Sequence, residues 1–179
     1  MNKMSLQAVF IDRDGTIGGT GHFIHPCDFE LYPGVEASLI QLKKAGLQVF
    51  ALTNQHRISR GQATEEQFHE QFAQFGFDQA YICPHSSSEP CLCRKPGTAM
   101  LEQAASEHGL DLRHCAVIGD VGSTDMLAAA KVGAVKILVR TGWGEQSLGD
   151  YRHTWAETEP DYVAKDLPEA VSWLLQHHK

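Results

Sequence analysis

Val9-Phe10-Ile11-Asp12-Arg13-Asp14-Gly15-Thr16 is a short apolar run that delivers two carboxylates, two residues apart, onto a glycine turn. Positions i and i+2 of a strand share a face, and the turn at Gly15 lets both side chains converge on one small volume. Two anions that close need a cation between them, most economically Mg²⁺ held by oxygen ligands. The alternative for Asp-x-Asp alone is a loop that happens to be acidic, and the rest of the chain decides between the two.

Outward from this run, apolar stretches alternate with amphipathic ones. Gln48 to Leu52, Ala80 to Ile82, Ala116 to Ile118 and Val135 to Val139 join Ala8 to Ile11 as short buried strands. Val35, Leu39 and Leu42 recur at helical spacing before Gly46, and Phe68, Phe72 and Phe75 before Gly76. Further helices are predicted from near Pro96 to Gly109, from Thr124 to Val132, and from Pro168 to Gln176. The phenylalanine row is a core-packing face rather than a ligand-stacking one, because its spacing is that of a buried helix stripe. Strands alternating with helices specify an α/β fold, a Rossmann-like doubly wound parallel sheet with ligands outside the carboxyl ends of its strands. The polar stretch from Gly142 to Thr158 reads as a surface loop.

Composition limits the function classes. A chain of 179 residues with 42% apolar content fits one domain, residues 1–179, with a sizeable core. Its 15 basic and 22 acidic side chains give a formal charge of −7, and no Lys/Arg-rich run offers a surface to nucleic acid or lipid. No export signal and no membrane-length apolar stretch stand out, so the expectation is a soluble, cytoplasmic protein.

Five cysteines without an export signal point to reduced thiols rather than a disulfide framework. Three lie in Cys83-Pro84-His85-Ser86-Ser87-Ser88-Glu89-Pro90-Cys91-Leu92-Cys93, as Cys-x-His and Cys-x-Cys pairs joined by a short polar loop. Four such ligands, Cys83, His85, Cys91 and Cys93, suit tetrahedral Zn²⁺. The loop has almost no apolar surface with which to order itself, so a metal would order it. Four protein ligands leave no open position, which favours a structural ion. A polar loop with unrelated thiols is the alternative.

Three more strand ends carry polar groups. Thr53-Asn54-Gln55 follows the second strand with a hydroxyl, amides and backbone N–H groups suited to an anion. Arg94-Lys95-Pro96 places two cations at a helix start. Gly119-Asp120, followed by Asp125, closes the fourth strand. Singly, each has an ordinary reading as a turn residue, a solvated charge or a helix cap.

Together and in this order, Asp12 to Thr16, Thr53 to Gln55, Cys91 to Pro96 and Gly119 to Asp125 resemble the four motifs of the haloacid dehalogenase-like (HAD) hydrolases, over about Ala8 to Arg140. The Cys-x-His and Cys-x-Cys pair before Arg-Lys-Pro looks like the subgroup that contains the heptose-1,7-bisphosphate and histidinol-phosphate phosphatases. The resemblance implies the HAD fold, with a short zinc-binding loop at residues 83–93 in place of a cap domain. It implies a phosphatase in which Asp12 attacks phosphorus and Asp14 serves as general acid and base. It further implies Mg²⁺ on Asp12, the Asp14 backbone carbonyl and Asp120, with Thr53 and Lys95 on the phosphoryl oxygens. Asn54, Gln55 and Arg94 are the expected substrate contacts, and Asp125 the group that orients the metal shell or Lys95. The implied partner is a small phosphorylated metabolite, a sugar bisphosphate or histidinol phosphate, with no nucleic acid and no membrane, and a monomer is one state open to the chain. A catalytically silent, zinc-stapled phosphate-binding module is the rival function.

Departures from the resemblance concern the substrate. Val121 stands where a basic residue commonly follows the Asp of the fourth motif, and His56 where a small residue is usual. His56, Arg57 and Arg60 read equally as a substrate-reading patch or as solvated loop residues. Gly18-Gly19-Thr20-Gly21 lacks the spacing of a nucleotide-binding loop and reads as a mobile segment near the site.

Overall fold

The computed structural model describes residues 5–178. A six-stranded, all-parallel sheet runs in the order β3-β2-β1-β4-β5-β6. The strands are β1 (Ala8–Ile11), β2 (Gln48–Asn54), β3 (Gln79–Cys83), β4 (Cys115–Gly119), β5 (Val135–Val139) and β6 (Tyr162–Ala164). The helices are α1 (Val35–Lys44), α2 (Glu65–Phe75), α3 (Ala99–His108), α4 (Leu127–Val132), α5 (Gly144–Leu148) and α6 (Leu167–His177).

The two-residue period of β1 divides the core. Val9 and Ile11 pack with α1, α2 and α6 through Leu39, Leu42, Phe68, Phe72, Val171 and Leu174. Ala8 and Phe10 face the other way, onto Met100, Leu101 and Ala104 of α3 and Ala128 and Ala129 of α4. Both faces of β1 are covered, which is why it is apolar throughout. Phe68 and Phe72 are buried as the helical spacing predicts, and α2 opens on a reciprocal cap between Thr64 and Gln67. Asp12 follows β1 and Asp120 follows β4; these strands are neighbours at the point where the winding reverses, the crevice in which such sheets hold ligands.

Four expectations are corrected. β2 runs on to Asn54, because β3 continues beside it and pairs Thr53 with Ile82 and Asn54 with Cys83. α3 starts at Ala99 rather than near Pro96, since Arg94 to Gly97 forms a turn closed by the Gly97 N–H on the Arg94 carbonyl at 2.7 Å. α4 is regular only from Leu127; a wider turn, Gly122–Met126, precedes it. The segment from Gly142 to Thr158 lies largely at the surface but is more than a loop: it contains α5 and a short turn, Arg152–Trp155, whose Trp155 is fully buried against Met126 and Leu138. β6 is a further strand that three residues of sequence were too short to signal. Among the described residues, no helix is long and apolar enough to cross a membrane.

Candidate active site

The carboxyl ends of β1, β2 and β4 open into a cavity of about 160 Å³, lined by Asp12, Asp14, Asn54, His56, Lys95 and Asp120 among others. Asp12 is anchored by its own amide, which donates to the Ile118 carbonyl of β4 at 3.0 Å. Gly15 makes the turn possible. It has φ +84°, and a Cβ there would collide with the Asp120 carboxylate.

Asp12, Asp120 and Asp125 offer carboxylate oxygens that all lie within 4.8 Å of one another. Burial, and then the charges of Asp12 and Asp125, drive the Asp120 pKa well above the ordinary range. Burial, and then Asp12, raise that of Asp125 to about 6. One cation, Lys95, enters this cluster: its Nζ donates to Asp125 Oδ1 at 2.6 Å, the Leu52 carbonyl at 2.7 Å and Asp12 Oδ1 at 3.0 Å. Burial works to lower the Lys95 pKa, but Asp12 and Asp125 outweigh it and hold the ammonium charged. Three buried carboxylates face one ammonium, a donor set in excess of its cation. This donor set fits a hard divalent cation on Asp12 and Asp120, as expected for Mg²⁺.

Asp14 stands apart from that cluster. Its Oδ1 takes Arg13 Nη1 at 2.6 Å and its Oδ2 takes Gln55 Nε2 at 2.7 Å. Burial raises its pKa to about 6, with Arg13 pulling in the opposite direction. A carboxyl poised there can hold a proton and release it near neutrality, as general acid–base work requires.

The expected substrate contacts also hold protein groups, and two of them, Asn54 and Gln55, line the cavity. Gln55 Nε2 also donates to Thr53 Oγ1 at 2.9 Å, so one amide fixes both Asp14 and Thr53. Asn54 clamps the Lys95 backbone: its Oδ1 accepts the Lys95 N–H at 3.0 Å, and its Nδ2 donates to the Lys95 carbonyl at 3.2 Å. The structure places Arg94 in the cysteine loop, where Nη1 donates to the Ser86 carbonyl at 2.7 Å and Nη2 to that of Glu89 at 3.1 Å.

Cys83, His85, Cys91 and Cys93 come together immediately before Arg94. Their ligand atoms all lie within 4.8 Å of one another, with Sγ of Cys83 and Cys91 3.8 Å apart and His85 Nδ1 3.2 Å from Cys93 Sγ. Bonds of ~2.3 Å in a tetrahedron put sulfurs about 3.8 Å apart, so one Zn²⁺ fits the donors present. Leu92 between them is 82% exposed, and the loop contributes little apolar burial of its own.

Other groups carried roles the sequence did not reveal. Arg13 is fully buried, its guanidinium 3.8 Å from the centre of the Phe29 ring and 4.9 Å from that of Phe68. The signal was available: an arginine between two aspartates at a strand end must go somewhere. Thr16 Oγ1 lies 3.3 Å from Asp12 and 3.2 Å from Asp120. The Trp143 amide donates to Asp120 Oδ2 at 2.8 Å, and Ser147 Oγ donates to the Asp120 carbonyl at 3.0 Å. Nothing in local sequence foretold those two, since they come from the segment read as solvent loop. Gly21 is held against the Trp143 indole, where a Cβ would not fit. Close packing, not mobility, accounts for a glycine there.

A family model described as HAD-hydrolase-like matches residues 92–170. The chain is 34% identical to the D-glycero-D-manno-heptose-1,7-bisphosphate 7-phosphatase of Thermosynechococcus vestitus, over 97% of this chain and 98% of that one. It is 40% identical to the D-glycero-beta-D-manno-heptose-1,7-bisphosphate 7-phosphatase of Photorhabdus laumondii, over 94% and 97%. Among solved structures it is similar to the D,D-heptose 1,7-bisphosphate phosphatase of B. bronchiseptica complexed with magnesium and phosphate, with a TM-score of 0.79, 30% identity, and coverage of 96% and 99%.

Proposed function

This chain belongs to the haloacid dehalogenase-like hydrolases and is a phosphatase of that family; from this premise we propose that it removes the 7-phosphate of D-glycero-D-manno-heptose 1,7-bisphosphate through an aspartyl-phosphate on Asp12. The observation that carries the mechanism is the division of labour between two aspartates in one cavity. Asp12 lies against Lys95 and the acidic cluster, while Asp14 sits apart, with a raised pKa, on Arg13 and Gln55.

An Asp12 carboxylate oxygen attacks phosphorus in line, and the bond to the sugar oxygen breaks. Asp14 gives its proton to that departing oxygen and becomes a carboxylate. It then takes a proton from water, whose oxygen attacks the phosphorus of the aspartyl-phosphate, releasing inorganic phosphate and restoring Asp12. Lys95 and the Thr53 hydroxyl stabilise the equatorial phosphoryl oxygens, where each lost contact costs ~2 to 4 kcal/mol in the transition state. Asp12, the Asp14 backbone carbonyl and Asp120 would hold Mg²⁺, which supplies neutralising charge between the carboxylate and the phosphoryl group. Thr16 and the Trp143 amide fix the Asp12 and Asp120 oxygens for that purpose.

Cys83, His85, Cys91 and Cys93 form a structural Zn²⁺ site, and their loop passes directly into Arg94 and Lys95. We read the chain as a single cytoplasmic domain, where its thiols stay reduced to hold the ion.

The test is phosphate release with Mg²⁺ from α- and β-heptose 1,7-bisphosphates, histidinol phosphate and simpler sugar phosphates, for the wild type and Asp12→Asn, with zinc content measured on both. The expected result is preferential turnover of a heptose bisphosphate, abolished in Asp12→Asn with zinc retained. Faster turnover of histidinol phosphate would reassign the substrate, and no release from any compound by zinc-loaded wild type would reduce the pocket to a phosphate-binding one.

A further inference from the structure

The acid that protonates a leaving group must lie beside the oxygen it serves, so the position of Asp14 shows which wall the sugar follows. Asp14 accepts from Gln55, and the next residue, His56, lines the cavity together with Phe23. Phe23 and His56 thus share the lining of the cavity with Asp14, and give the leaving group a wall to follow. A neighbouring cleft of about 310 Å³, which shares Val121 with this cavity, is lined by Ser123, Trp143, Ser147, Tyr151 and Thr154. It offers neither a carboxylate nor a cation, and so nothing to neutralise a second phosphate.

The arginines and the lysine at the catalytic centre are already spent. Lys95 pairs with Asp12 and Asp125, Arg13 with Asp14, and Arg94 with carbonyls of the cysteine loop. The turn His56–Arg60, which leaves β2 at the cavity rim, carries two more, Arg57 and Arg60, and neither makes an ion pair among the described residues. The Arg57 guanidinium lies 5.7 Å from the centre of the Phe23 ring, the ring that walls the cavity. Its Nη1 donates to Gln62 Oε1 at 3.1 Å, while its Nε is buried with no acceptor. A charged group with an unfilled donor and no carboxylate beside it is a site awaiting an anion. Burial, and then the charges of Arg57 and Arg60, hold the His56 imidazole below its ordinary pKa.

We propose that Arg57, beside the Phe23 ring and next to His56 in the chain, forms a second anion site that binds the remote, non-reacting phosphate of the substrate and so sets a preference for bisphosphates over monophosphates. This rests on the phosphatase reading above, and adds to it the residue that reads the far end of the substrate. Val121 fits the same picture. A basic residue is missing after Asp120, and the positive charge that a bisphosphate needs is supplied from the β2 side instead.

The experiment compares kcat/KM for D-glycero-D-manno-heptose 1,7-bisphosphate and for the corresponding 7-phosphate, which lacks only the remote group, in wild type, Arg57→Gln and Arg57→Lys. Zinc content and thermal unfolding certify the fold of each variant. Wild type should prefer the bisphosphate, Arg57→Gln should narrow the bisphosphate-to-monophosphate ratio by about tenfold or more, and Arg57→Lys should recover part of it. A ratio unchanged in Arg57→Gln overturns the second site, as does a wild type that hydrolyses both compounds equally well; both leave the phosphatase reading standing. A wild type that hydrolyses neither overturns that reading, and this inference with it.

Discussion

Lys95 Nζ lies 2.6 Å from Asp125 Oδ1, and this buried pair holds the same ammonium 3.0 Å from Asp12. Asp125 thus fixes the position of the Lys95 ammonium beside Asp12, which under the proposed mechanism sets the direction from which positive charge meets the phosphoryl group. Its Oδ2 in turn accepts the Val121 amide at 3.2 Å, which ties the β4 loop to the lysine.

Asp125→Asn keeps the shape and removes the charge. Breaking one partner of a buried pair typically costs ~3 to 5 kcal/mol. Asp12 remains beside the ammonium, so the stability loss should fall at or below the low end of that range, read by urea unfolding. The drop in kcat should be about tenfold to a hundredfold, because Lys95 loses its aim. A variant that keeps full kcat would remove the positioning role of Asp125 and leave it a structural anion.

Gln55 Nε2 bridges Asp14 and Thr53, and the side chain is 2% exposed. Gln55→Leu removes a charge-assisted hydrogen bond of ~1.5 to 3 kcal/mol from Asp14, the proposed general acid. The expected result is a fall in kcat of about tenfold or more with KM changed less than about twofold, since the amide is occupied within the protein. If KM rises and kcat holds, Gln55 binds substrate after all.

Zinc removal should act on the active site through the chain itself, because Cys93 is followed directly by Arg94 and Lys95, and Arg94 Nη1 holds the Ser86 carbonyl. A metal present at a hundredfold excess over its Kd stabilises by ~2.7 kcal/mol. For a chain of this length that corresponds to about 5–10 °C in Tm. Cys93→Ala, or treatment with a strong chelator, should lower Tm by that amount and reduce kcat in proportion to the zinc lost. Full activity in zinc-free protein would sever the loop from catalysis.

The legible parts of the molecule were those written in local pattern. β1 and the Asp12–Asp14 pair stood out because strand period, turn glycine and carboxylates share eight consecutive residues. Cys83, His85, Cys91 and Cys93 stood out as candidate metal ligands because their spacing has few other uses, and the fold brings all four together. What stayed hidden depends on contacts distant in sequence. Asn54 and Gln55 were legible as cavity residues, but their hydrogen bonds to Lys95 and Asp14 were not, since only the fold brings those groups to them. Arg94 was expected to read the substrate, and its hydrogen bonds to the Ser86 and Glu89 carbonyls depend on a loop fold that local sequence does not specify. The Gly142 to Thr158 stretch looked solvated because its polar residues outnumber the single Trp155 that buries it.

Trp155 is the test of that last correction. Its Nε1–H donates to the Ser147 carbonyl at 2.8 Å, and Ser147 Oγ donates to the Asp120 carbonyl while accepting the Gly122 N–H. A chain of three hydrogen-bonded groups therefore runs from a core indole to an expected metal ligand. Trp155→Phe retains an aromatic ring but loses the first bond, at a cost of ~1 kcal/mol for the hydrogen bond plus the cavity left behind. Groups that orient metal ligands typically contribute 10- to 100-fold in metal affinity or activity. Trp155 is one step further removed, so a rise of about threefold to tenfold in the Mg²⁺ concentration for half-maximal activity is expected. Activity titrated with Mg²⁺ at saturating substrate reads this directly. A lowered Tm with an unchanged Mg²⁺ requirement would make Trp155 a core residue alone, and would leave the Trp143 amide and Thr16 as the groups that hold Asp120 in place.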